Sequence, residues 1–131
     1  MSILSVFTTQ MEEFATELTS MFPEDVDLQM ALNMIKLIKR SNPRKLVDVF
    51  QKFATSYRDQ IMNKDEQFFI QHDFNDLATK TNQQDYTFSL VKQIKSHWSE
   101  MSDSSKNAAW NYLIVLFKLS DRLNESCQVV N

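Results

Sequence analysis

The chain has 131 residues, 43% of them apolar and 24% charged, with a net charge of −3. That is enough for one domain with a real core and too little for two. It contains no glycine, which excludes a Gly-rich phosphate loop, a dinucleotide fingerprint, a nucleophile elbow and an EF-hand loop, since each needs glycine at a set position.

Helical periodicity runs through almost the whole chain. Over residues 3–22, Phe7, Met11, Phe14, Leu18 and Met21 step by four and three on one face, behind Ser2 or Ser5 and ahead of Pro23. A second helix is predicted to start near Asp25 or Asp27, where carboxylates suit the positive end of a helix dipole. It carries Val26, Leu28, Met30, Ala31, Leu32, Met34, Ile35, Leu37 and Ile38, apolar nearly all round. Asn42 and Pro43 suit the N-cap and first position of a third helix, which holds Leu46, Phe50, Phe53, Tyr57 and Ile61 on one face.

The pattern then weakens. Short helical turns are expected around Asp65, Glu66, Phe68 and Phe69, and again around Phe74 and Leu77, followed by a loop at 79–84. Asp85 suits the cap of a fifth helix with Phe88, Val91, Ile94, Trp98 and Met101 along it. Ser102 suits the cap of a last helix running to about residue 125, with Trp110, Leu113, Ile114, Phe117 and Leu119 inside it and a flexible tail at 125–131. No segment alternates like a strand. The expected fold is all-α, a single-domain bundle of five or six helices.

A helix that is apolar on more than one face is either central or shared with a partner. The second and last helices both qualify. Burial of both within the monomer is the first reading; where the second helix is shared with a partner instead, Met30, Met34 and Leu37 form its exposed strip, because methionine adapts to irregular contact surfaces.

Charge is polarised along the chain. Residues 1–35 hold six acidic side chains and no basic one, whereas residues 36–64 hold eight basic side chains against Asp48 and Asp59. The densest basic stretch, Lys36, Lys39, Arg40, Arg44 and Lys45, straddles the junction of the second and third helices. Three readings compete for it. It complements the C-terminal end of a helix dipole near the carboxylates of the first helix. It contacts phosphates of a nucleic acid. Or it docks an acidic protein, including the acidic helix of another copy.

Catalytic and metal signals are thin. Two histidines and one cysteine do not make a zinc site at known spacing. Asp65, Glu66, His72 and Asp73 are better explained as caps, and Cys127 sits too near the end to pair convincingly with His97. No enzyme, metal or cofactor is expected. Cys127 alone forms no internal disulfide, the first basic residue is Lys36, and the longest apolar-rich run has ten residues against the ~20 of a membrane span. An intracellular protein without a membrane anchor is therefore expected.

Several stretches together resemble a family of small helical proteins encoded by nucleocytoplasmic large DNA viruses. They are Phe22-Pro23-Glu24-Asp25, Ser41-Asn42-Pro43-Arg44, Asn63-Lys64-Asp65-Glu66 with Phe68-Phe69, and the stretch from Trp98 to Ser102 with Lys106, Trp110 and Tyr112-Leu113. The resemblance implies a viral protein of the host cytoplasm or the virion, and it implies no activity, ligand or functional residue. The combined expectation is a non-enzymatic interaction module that binds a protein partner or itself. The alternative is nucleic-acid binding through the basic junction at 36–45.

Overall fold

The first helix, α1 (Ile3–Met21), begins where the Ser2 hydroxyl accepts the Ser5 N–H at 3.0 Å, and it buries Phe7, Met11, Phe14 and Leu18. The computed structural model describes the backbone of residues 2–72 and 86–130, and the side chains of those residues apart from 53, 54, 86–89 and 125–130. The expected loop at 79–84 and the caps proposed at Asp73 and Asp85 lie outside the described residues. Five further α-helices follow: α2 (Val26–Ser41), α3 (Pro43–Met62), α4 (Glu66–Gln71), α5 (Tyr86–His97) and α6 (Asp103–Val130). A 3-10 turn, Trp98–Glu100, separates α5 from α6. With that turn, the described residues form seven helical segments and no strand, an all-α fold with one segment more than the sequence predicts.

The extra segment has a local cause. The Met101 N–H bonds to the Trp98 carbonyl at 3.2 Å, so the chain tightens after His97 and ends the helix before Met101. At the other end, α6 continues to Val130, beyond the end expected near 125. No glycine or proline follows Glu125 to stop it.

Helix boundaries are made without glycine. Asp25 Oδ1 accepts the Leu28 N–H, Asp65 Oδ1 the Phe68 N–H and Ser102 Oγ the Ser105 N–H, each at 3.1 Å. Asn42 does occupy the cap position ahead of Pro43, but its side chain makes no capping bond. It is shared between two helices instead. Its N–H closes α2 on Ile38 at 2.7 Å, and its carbonyl accepts the Lys45 N–H at 3.0 Å. After α3, Lys64 takes φ 52°, the left-handed conformation usually left to glycine. The Asp65 N–H then reaches the Gln60 carbonyl at 2.9 Å and the Lys64 N–H reaches Ile61 at 3.0 Å, which is the Schellman pattern of a helix end.

The core joins two aromatic groups. Phe50 of α3 meets Phe7 of α1 edge-on at 5.5 Å and Phe117 of α6 at 5.1 Å. Phe69 of α4, Trp98 and Trp110 form the second group, with centroids 5.2 to 5.9 Å apart. On the surface, Arg58 of α3 donates both guanidinium nitrogens to Asp121 of α6, one of them at 2.9 Å. The bridge is half exposed, so it adds little to stability. α2 packs on α1, α3 and α5 through Leu28, Ala31 and Ile35.

Trp98 also ties α4 to α6. Its indole N–H donates to Glu66 Oε1 at 2.7 Å, while Lys106 lies 3.5 Å from the same oxygen and 5.3 Å over the indole ring. The indole hydrogen bond first, and the Lys106 charge after it, hold the Glu66 carboxyl below its usual 4.5. A carboxylate depressed in the folded state stabilises the fold above its unfolded value and loses that contribution as pH falls through the folded one. As pH falls below about 5, denaturant titrations should therefore show a shallower loss of stability for Glu66→Gln than for the natural chain. A second outcome follows from the helix end. Lys64→Gly should raise the unfolding free energy by roughly 0.5–1 kcal/mol in the same assay, because glycine carries no penalty at φ 52°.

Candidate functional site

α2 buries Leu28, Ala31 and Ile35 in the core and packs Leu32, Met34 and Ile38 partly against it, and three apolar side chains face outward. Val26 is 61% exposed, Met30 63% and Leu37 57%, and with Asn33 they step by four, three and four along one side of the helix. Of the three residues expected to form the exposed strip, the structure places Met30 and Leu37 in it. Met34 instead leans inward and is partly buried against the core. Val26 replaces it in the stripe. Its period with Met30 and Leu37 was readable in the sequence, but polar Asn33 interrupts the apolar run between them.

The basic junction divides in a similar way. Lys36, Arg40, Arg44 and Lys45 are exposed at the C-terminal end of α2 and the start of α3. Lys39 turns back toward α1 and lies 3.9 Å from Glu12, the neighbour its charge suggested. Lys36, Arg40 and Lys45 have no ion-pair partner among the described residues.

The N-terminal end of α2 is acidic and firmly held. Gln29 donates to the Pro23 carbonyl at 2.6 Å, closing the turn from α1. Asp25 caps the helix with one oxygen and meets His97 Nε2 of α5 at 2.6 Å with the other. His97 Nδ1 lies 3.3 Å from Glu100, and its ring stacks on Phe22 with centroids 3.8 Å apart. Asp27 accepts from Gln93 of α5 at 3.1 Å. An open groove of about 590 Å³ lies here, lined by Phe22, Glu24, Asp27, Val26, His97 and Glu100 among others. The sequence gives no hint of this junction, because Asp25 and His97 are 72 positions apart.

Among the described residues, no three His, Cys, Asp or Glu side chains gather to hold a metal ion. Asp73 and the Cys127 side chain lie outside the described residues. No described helix is long and apolar enough to cross a membrane. The surface thus belongs to an all-α bundle that presents one amphipathic helix with ends of opposite charge. Compared with known protein families, curated proteins and solved structures, the chain shows no match to any of them.

Asp25 makes two bonds that substitutions separate. Asp25→Ala removes both the cap and the His97 contact and should cost about 1–2 kcal/mol of unfolding free energy. Asp25→Asn keeps a capping oxygen and should cost less than Asp25→Ala by chemical denaturation.

Proposed function

We propose that this chain is a non-enzymatic interaction module whose contact face is the outer side of α2. The observation that supports it most strongly is the exposure of Val26, Met30 and Leu37 in one stripe on an ordered helix. Single exposed apolar residues are ordinary on a protein surface, whereas an aligned stripe bordered by charges resembles the amphipathic faces that pack against partner helices. Among the described side chains of α6, Leu113, Leu116, Phe117 and Leu123 are buried and only the large apolar Val115 stands out, at 40%. Nucleic-acid binding through the same region is the second reading. The exposure of Lys36, Arg40 and Lys45 favours it, while the pairing of Lys39 with Glu12 and the acidic opposite end of α2 weigh against it.

A photo-activatable residue placed at Met30 tests the first reading. Irradiation of the chain, purified or in expressing cells, should yield protein adducts at Met30 well above those from the same probe at exposed Asn111 on α6. Equal yields at the two positions would end the assignment of α2 as the contact face. Adducts to nucleic acid from a probe at Arg40, lost as salt is raised, would favour the second reading instead.

A further inference from the structure

We infer that the partner of the α2 face is a second copy of this chain, packed with its α2 antiparallel to the first. The inference rests on the proposed role of α2 and adds the identity and orientation of the partner. Its basis is the distribution of charge along one helix. Glu24 and Asp27 stand exposed at the start of α2, beside the groove that also carries Glu100, and Lys36 and Arg40 stand exposed toward its far end, with Lys45 just beyond it at the start of α3. A partner of a different kind would have to supply both a basic and an acidic patch one helix length apart. A second copy supplies them by symmetry, since a two-fold axis repeats the same surface on both subunits.

The register follows from the apolar stripe. When Met30 of one copy lies opposite Leu37 of the other, the axis passes close to Asn33 and Met34, and the segment 24–27 of each copy lies beside 40–43 of its partner. Arg40 of each copy then lies level with Asp27 of its partner at both junctions, and the helix dipoles oppose each other. A parallel pairing would bring like charges together at both ends. Val26 continues the stripe into the acidic groove, so the apolar and charged parts form one surface. The stripe is short, which places the dimer among small, readily dissociating interfaces.

The test is light scattering coupled to gel filtration on the full chain, over a dilution series at low and high salt. The mass should rise from 15.4 kDa toward twice that value with concentration, and association should weaken as salt screens the charged ends. Two charge reversals follow: Glu24→Lys with Asp27→Lys, and Lys36→Glu with Arg40→Glu. Each variant alone should associate at least about tenfold more weakly than the natural chain. An equimolar mixture of the two should dimerise again, which also shows that both variants remain folded. A natural chain that stays monomeric throughout, association strengthened by salt, or reversed variants that self-associate as tightly as the natural chain would each overturn the inference. If the chain is monomeric while the probe at Met30 still captures another protein, the second copy is wrong and the α2 contact face stands. If Met30 yields nothing above the Asn111 control, both fail.

Discussion

Phe50 touches Phe7 on one side and Phe117 on the other, and this three-ring contact fixes α1, α3 and α6 relative to one another. All three side chains are fully buried, so the position of each helix is set by close packing rather than by surface charge. The second aromatic group, Phe69 with Trp98 and Trp110, then locates α4 and the 3-10 turn against α6. With that centre filled, α2 is an outer layer. It is held on its neighbours by buried Leu28, Ala31 and Ile35, with Leu32, Met34 and Ile38 packed partly against the core beside them. The apolar side chains still left over, Val26, Met30 and Leu37, fall on the outer side. The exposed stripe is thus a consequence of how the core is built.

The absence of glycine shapes the ends of the helices, and through them the contact face. Where other chains relax into glycine, this one uses side-chain oxygens at Ser2, Asp25, Asp65 and Ser102, one residue shared between two helices at Asn42, and left-handed Lys64. Asp25 does the most to hold α2 in place. By capping α2 and meeting His97 together, it anchors the acidic end of the helix to α5. An anchored end keeps Val26 and Glu24 in fixed positions, which lowers the ordering cost of binding on that face.

Much of this architecture was legible in the sequence because burial follows the helical period. Phe7, Met11, Phe14 and Leu18 are buried on α1 as their spacing required, as are Leu46, Phe50, Tyr57 and Ile61 on α3 and Val91, Ile94, Trp98 and Met101 around α5. The Phe53 and Phe88 side chains of the same stripes lie outside the described residues. Periodicity was less informative on α2, where nearly every side is apolar. Met30 and Met34 are chemically identical and one turn apart, and only the placement of α1, α3 and α5 decides that Met34 is drawn inward and Met30 left outside. The pairs Arg58–Asp121 and Glu66–Trp98 were hidden for a related reason, since they join positions 63 and 32 apart that tertiary packing brings together. The polarity of charge along α2 was visible from the start, but its significance appears only once the acidic and basic ends are seen to share an exposed helix with an apolar stripe between them.

The most direct test of the account is the rate at which methionine side chains are oxidised in the folded chain as its concentration is raised. Met30 stands 63% exposed and Met101 only 7%, so the two report the contact face and the core in one experiment. If α2 meets a second copy, Met30 is oxidised quickly in dilute solution and progressively more slowly as the chain is concentrated, while Met101 stays slow throughout. A Met30 rate that holds constant across the whole concentration range would contradict it.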